Sequence, residues 1–444
     1  MSVEYLQSLK SVRETCTKVF KIAEKNELEY WDVDLSKQDS IVEFCCELIA
    51  RDFGSNYDDI PPHGRWRHFL ANGKDRIQPL IDEWRETTAP IEIARRLIDL
   101  FVVSVLLDAG AGPHWKYCEE GDDSGIGRSE GLAVASLDMV KKGLFSGIPD
   151  LQPFRVDAKG LSKVSIDDIK EAMQVTESNP MVGIEGRAQL LVQLGRVLNS
   201  PEGSKYFASS ESDEGPGFPR PGNMVDYIRA HPSATMIPSP SALPISVPLE
   251  TLWEVLIHGL GGVWPASRTK LNGVPLGDVW ACSSLRKTVS TDPEALVAFH
   301  KLTQWLNYSL MEVFDKILNW KFTNTIETTG LPEYRNGGLL IDYGLLTIKT
   351  GAILESLGQQ AEGTVDPLDL PPLPASHSAI VEFRAVTVIM LDRIAAAVNQ
   401  KLGANLVLAQ VLESATWKGG REIAKKKRAD GGPPINVLLD GTVF

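Results

Sequence analysis

Residues 129–144 read SEGLAVASLDMVKKGL, and within them Leu132, Ala135, Leu137, Val140 and Leu144 recur at the three- and four-residue spacing of one α-helical face. Residues 92–107, beginning Glu92-Ile93-Ala94, carry the same period. So do residues 183–198, with Ile184, Ala188, Leu191, Leu194 and Leu198 following the turn pair Asn179-Pro180. A helix start is predicted at Thr291-Asp292-Pro293-Glu294. There Asp292 caps with Pro293 in the first helical position, or Thr291 and Glu294 form a capping box. From that start Leu296, Phe299, Leu302, Leu306, Leu310, Val313 and Ile317 mark one apolar face. A further long helix is predicted from about Ala379 to Leu402, stopped by Gly403. β-Branched runs such as Ile435 to Leu439 are short, so the predicted class is mainly α with minor β.

The 444 residues are 43% hydrophobic and 23% charged, an ordinary soluble balance. A formal charge of −13 excludes a surface built as a whole to receive a polyanion, so nucleic acid is not an expected partner. One local basic pocket for a phosphate remains compatible with it. The most apolar stretch, residues 97–107, suits a buried helix and falls short of the roughly 18 residues of a membrane span. The beginning Met1-Ser2-Val3-Glu4 lacks the pattern of a secretory signal. Cys16, Cys45, Cys46, Cys118 and Cys282 are scattered and lack CxxC spacing, which predicts a reducing, cytoplasmic setting and no disulfide framework or zinc site.

Residues 1–90 are expected to form an N-terminal helical region and residues 91–444 a single helical catalytic domain. An irregular, exposed insertion is expected around 200–248, where Ser209-Ser210-Glu211-Ser212-Asp213-Glu214 lies. A Pro-rich loop is expected around 361–378. No internal repeat is present. Gly259-Leu260-Gly261-Gly262 and Gly337-Gly338 fail the phosphate-loop spacing, and neither GxSxG nor HExxH occurs. The seven histidines are dispersed, so no bound metal or other cofactor is expected. Cys45-Cys46 reads as a pair of buried structural thiols.

Four stretches carry polar groups that core packing does not require. In Asp108-Ala109-Gly110-Ala111-Gly112-Pro113-His114-Trp115, an acid after an apolar helix opens a Gly-rich bend that either clamps a small polar ligand or lets Asp108 cap the next turn. Lys301, Gln304 and Tyr308 share one helical face, which lines a pocket or faces solvent. In Leu331-Pro332-Glu333-Tyr334-Arg335-Asn336-Gly337-Gly338-Leu339-Leu340-Ile341-Asp342-Tyr343, the carboxylate of Asp342 sits among apolar neighbours. Such a group is costly to bury, so it is a candidate for catalysis or for a structural ion pair. Glu382 and Arg384 are two apart on a helix and are expected to contact different neighbours rather than each other.

These stretches, with Arg128-Ser-Glu-Gly-Leu-Ala-Val-Ala-Ser, Asn179-Pro-Met-Val-Gly-Ile-Glu-Gly-Arg, Phe299-His-Lys-Leu-Thr-Gln-Trp and the closing Asp440-Gly-Thr-Val-Phe, resemble the uracil-catabolism protein family of the fourth URC locus. The resemblance covers nearly the whole chain from about residue 90. It implies a pathway that turns uracil into urea and a three-carbon acid through a ribosylated, ring-opened intermediate. A weaker resemblance links the order of motifs to the queuosine-salvage nucleotide N-glycosylases and implies a two-lobed, DNA-glycosylase-like helical fold. It matches Asp108 with Trp115, Pro180 and Val182 with Arg187, Phe299 and Lys301 with Gln304, Asp342 with Tyr343, and Glu382 with Arg384. Gly344 departs from that pattern where an arginine is usual, as do the small residues between Asp108 and Trp115, which bears on base recognition.

Together these readings predict an N-glycoside hydrolase that splits a ribosyl-urea-like substrate, with or without a 5′-phosphate, into urea and the sugar. Asp342 is assigned to stabilise the oxocarbenium-like state and Lys301 to hold it ionised or to bind sugar or phosphate oxygens. Asp108 and Trp115 would hold the urea and the substrate face, Arg187 and Arg384 a phosphate, and Gln304, Tyr343 and Glu382 complete the binding set. The rivals are a ureido C–N hydrolase and a non-catalytic pathway scaffold. Oligomeric state and the leaving-group proton donor are not legible.

Overall fold

The computed structural model describes residues 1–112, 114–209, 217–237, 244–265, 268–360 and 365–438. The acidic run from Ser210, Pro113 of the Gly-rich bend, residues 361–364, Leu439 and the closing Asp440-to-Phe444 motif lie outside the described residues.

The fold is mainly α: nineteen α-helices and eleven strands of two to six residues run through the described chain. The periodic stretches become the helices Pro90–Leu106, Arg128–Lys141, Ile184–Leu198 and Ser378–Leu402. Pro90 opens the first of these, where its missing N–H is not needed. Gly403 closes the last in the left-handed region, at φ 61°. The helix predicted from Thr291 or Asp292 starts eight or nine residues later than expected. Asp292–Ala295 is a single 3₁₀ turn, and Leu296–Ala298 is a strand paired antiparallel with Val279–Ala281. His300 then turns at φ 47° and the helix proper is Lys301–Leu318. The apolar spacing through Leu296 and Phe299 fits a buried strand as well as a helix, and pairing with Val279–Ala281 decided it.

Two apolar cores form. The first joins Pro90–Leu106, Arg128–Lys141, Ile184–Leu198 and Lys301–Leu318 through residues such as Leu97, Leu132, Leu191 and Leu310. The second joins Leu9–Ala23, Gln38–Phe53, Tyr334–Asp342 and Ser378–Leu402 through Val12, Cys16, Cys45, Leu340, Phe383 and Val386. Each fully buried Leu or Phe contributes about 1.5–3 kcal/mol. All five cysteines are free, and Cys45 and Cys46 are buried. Side chains of residues 1–90 enter both cores. Their first two long helices complete the second core, while Trp66, Phe69, Ile81 and Trp84 enter the first.

The stretch around 200–248 is more than an exposed loop. It contains the helices Pro201–Phe207 and Met224–Ala230, and Arg220 between them is fully buried. Arg220 pairs at 2.7 Å with Asp99, the acid inside the most apolar helix, and at 2.8 Å with Glu92. A buried carboxylate demands such a partner, and Gly222 and Val156 add N–H donors to it. The Pro-rich stretch likewise plants Leu370 and Leu373 in the second core. The run at 435–438 forms a single bridge, Val437 to Leu373.

Candidate active site

Where residues of the two cores meet, they enclose a cavity of about 380 Å³, within the range of small-molecule sites. Its floor is the bend that ends the Pro90–Leu106 helix. Gly112 adopts φ 90° there, which only a glycine takes without strain. Arg187 ties the bend down, donating to the carbonyl oxygens of Leu107 at 3.1 Å, Ala109 at 2.6 Å and also Val182. The bend carries the Asp108 carboxylate into the cavity.

Asp108 pairs with Arg65 at 3.0 Å, and the Arg65 side chain is wholly buried. Arg65 also donates to Ser104 Oγ at 2.8 Å and to the Ser129 carbonyl at 3.3 Å, and lies 3.2 Å from His68 Nδ1. A guanidinium has no acceptor, so His68 Nδ1 must accept and carry no proton. Burial agrees, holding the His68 imidazole well below its usual range.

Lys301 opens its helix just after the left-handed His300, whose Nε2 donates to the Leu6 carbonyl at 2.7 Å. Its backbone N–H donates to Asp278 at 3.0 Å. Its ammonium faces the cavity without a hydrogen-bond partner among the described residues. Burial lowers its proton affinity, while Glu333 and Asp108 favour the charged form. Glu333 caps the Tyr334–Asp342 helix, accepting from the backbone N–H groups of Arg335 at 2.7 Å and Asn336 at 2.6 Å. Burial pushes its carboxyl up, opposed by those N–H groups and by Lys301.

Trp305, Tyr334 and Trp417 supply aromatic walls. His63 completes them, with Nδ1 2.6 Å from Glu413 and Nε2 left without a hydrogen-bond partner among the described residues. Three arginines, Arg128, Arg335 and Arg421, also line it, as do Asp430, Gly432, Pro433 and residues 435–437. No group of three or more His, Cys, Asp or Glu among the described residues is placed to hold a metal ion. No described helix is long and apolar enough to cross a membrane.

Of the residues expected from sequence, Asp108 and Lys301 line this cavity and the others do not. Asp342 forms a fork with Arg428, both contacts at 2.7 Å, and its carbonyl accepts from Lys427. It stands at the far end of the helix that Glu333 begins, roughly 13 Å along the axis at 1.5 Å per residue. The carboxylates that act on the Lys301 ammonium are therefore Glu333 and Asp108, and Asp342 is a latch on the segment that follows the Trp417–Lys427 helix.

Trp115 is buried and donates to the Met173 carbonyl at 2.8 Å. Gln304 is buried against Thr329 at 3.3 Å, and Tyr343 packs on Phe44 with ring centroids 5.5 Å apart. Neither Gln304 nor Tyr308 faces solvent. Glu382 accepts from the N–H groups of Glu29 and Tyr30 and from Ser284, apart from Arg384 as its spacing required.

Arg187 and Arg384 are buried brackets rather than phosphate ligands. Arg384 forks onto Asp278 at 2.7 Å twice and donates to the Pro332 carbonyl at 3.2 Å. It thus fixes both the first N–H of the Lys301 helix and the residue before Glu333. With Arg384 beside it, the Asp278 carboxyl is held far below the usual carboxylate range against the opposing effect of burial.

In His63-Gly64-Arg65-Trp66-Arg67-His68, outside every motif above, four basic or imidazole side chains fall within six residues. That density was the available signal for Arg65, His63 and His68.

A family model described as "Protein of unknown function (DUF1688)" matches residues 5–444. The chain is 42% identical to Uracil catabolism protein 4 of Lachancea kluyveri, with 100% of this chain and 99% of that protein covered. It is 38% identical to Protein urg3 of Schizosaccharomyces pombe, with the same shares covered.

Proposed function

The chain belongs to the DUF1688 family, and from that premise and the charged cavity we propose that it acts in uracil catabolism as an N-glycoside hydrolase on a ribosyl-urea-like substrate. The pathway rests on the full-length similarity to a relative named for uracil catabolism. The chemistry rests on one observation: two carboxylates and an ammonium without a hydrogen-bond partner converge in a cavity walled by aromatic rings.

Breaking the ribose C1′–N bond builds positive charge on the sugar. The Asp108 carboxylate, fixed by Arg65 and by the tethered bend, is pre-oriented to meet that charge. The bonding pair leaves with the urea nitrogen, which takes a proton from His63 Nε2, with Glu413 supporting the imidazole from the other side. Water adds its oxygen to C1′ and gives its proton to Asp108, and exchange with solvent resets both groups. Lys301 and Glu333 form a donor–acceptor pair suited to the ribose hydroxyls. Trp305, Tyr334 and Trp417 exclude water around the ring.

Product analysis tests this reading. Purified protein with ribosylurea or its 5′-phosphate should release urea and the free sugar. Release of ammonia and carbon dioxide instead would mark a ureido C–N hydrolase, and no turnover of either compound would refute the proposal.

A further inference from the structure

Arg128, Arg335 and Arg421 line the same cavity as Asp108 and Lys301. Each guanidinium offers five N–H donors, and each makes one hydrogen bond among the described residues. Arg128 donates to the Asp430 carbonyl at 3.1 Å, Arg335 to the Gly431 carbonyl at 2.8 Å and Arg421 to Glu130 at 2.6 Å. Most of the donor capacity of these three side chains is therefore left over by the described residues. Among the described residues the cavity carboxylates nearest to them are Glu130, engaged by Arg421, Asp430, whose Oδ1 accepts from Gly432 N at 2.8 Å, and Glu333, occupied by the backbone N–H groups of Arg335 and Asn336.

Bringing these cations together is unfavourable. Burial and the proximity of Arg335 and Arg421 both lower the proton affinity of Arg128. Arg128 also holds φ 58°, a conformation that a bulky residue keeps only where its surroundings impose it. Two of the three cations are carried over aromatic faces, Arg335 above Tyr334 at 4.9 Å and Arg421 above Trp417 at 4.8 Å. A chain of net charge −13 that concentrates three arginines on one cavity wall is arranged to receive an anion there.

We infer that Arg128, Arg335 and Arg421 form a phosphate-monoester subsite, so that the sugar substrate carries a phosphate remote from the bond that breaks. This deepens the glycoside-hydrolase reading and rests on it for the identity of the sugar. The anion site itself stands on the arginine geometry. In the ground state the phosphate would neutralise the cluster and fix the ribose so that C1′ faces Asp108, binding energy that positions the reacting bond.

Calorimetry on the full chain with ribose 5-phosphate, inorganic phosphate and ribose tests the subsite apart from the chemistry. Ribose 5-phosphate and phosphate should bind and compete, with affinity falling as salt rises, and ribose should bind at least tenfold more weakly than its phosphate. Arg421→Gln and Arg128→Asn, the latter chosen because Asn tolerates the left-handed backbone, should each weaken ribose 5-phosphate by roughly ten- to a hundredfold. Arg421→Lys should recover only part of that loss, since an ammonium lacks the fork. Melting curves establish that each variant is folded. Equal affinity for ribose and ribose 5-phosphate, or folded variants that bind it as wild type does, overturns the subsite. Arginine-dependent binding of ribose 5-phosphate without urea release from the phosphorylated substrate upholds the subsite and removes the hydrolase reading instead.

Discussion

Replacing Asp108 by Asn keeps the side-chain shape and removes the charge on which the proposed chemistry depends. An electrostatic stabiliser placed at developing charge is worth on the order of 10²–10³ in kcat, so Asp108→Asn should lower kcat by about 10³ and leave substrate affinity nearly unchanged. The same change touches stability, because Arg65 is fully buried and pairs with Asp108 at 3.0 Å. Arg65 keeps its bonds to Ser104 Oγ and the Ser129 carbonyl, and Asn still offers an oxygen acceptor. The loss is thus that of one charge-assisted bond, about 2 kcal/mol, rather than the 3–5 kcal/mol of a stranded ion. With about 2.1 cal/mol/K of unfolding entropy per residue, 444 residues turn that into a Tm decrease of about 2 °C. Single-turnover urea release and thermal melting on the same preparation read both numbers. A folded Asn variant with near wild-type turnover would refute the assignment of Asp108.

Asp342→Asn is predicted to show the opposite pattern: it breaks a largely buried fork with Arg428 outside the cavity, so Tm should drop by about 2–3 °C while kcat per folded molecule stays within about twofold. A loss of kcat as large as that of Asp108→Asn would return Asp342 to the reaction. Glu413→Gln or His63→Gln should cut urea release by roughly 10²–10⁴-fold, yet leave a riboside with a nitrophenolate leaving group, which needs no proton, cleaved at near wild-type rate. Equal losses on both substrates would remove His63 as the donor. Stability should also depend on protonation of His68 and His300, both held below the usual value of 6.5 chiefly by burial. Their unfolded forms take up protons that the folded forms refuse, so stability is complete above about pH 6.5 and declines below it. Each histidine removes up to about 1.4 kcal/mol per pH unit. Melting temperatures between pH 8 and pH 5 should show this decline, with a shallower slope in His68→Gln, and a flat profile would contradict it.

Apolar periodicity was enough to place the helical class and most helices, because a 3.6-residue apolar period has few other solutions when it runs for about fifteen residues. The sequence also singled out Asp108, an acid that opens a Gly-rich bend after an apolar helix, and Lys301, on a polar helical face shared with Gln304 and Tyr308. The start of the Lys301–Leu318 helix was not legible, because a short apolar run fits strand and helix alike until a partner strand claims it. Nor was the choice between Glu333 and Asp342, two carboxylates at opposite ends of one helix. Local sequence makes both expensive to bury, and only long-range packing shows that Arg428 answers one while Lys301 faces the other. Arg187 and Arg384 illustrate the same limit: the sequence says that five donors are present on each guanidinium, and that they brace backbone carbonyls follows from which chain segments the tertiary structure brings within hydrogen-bonding distance.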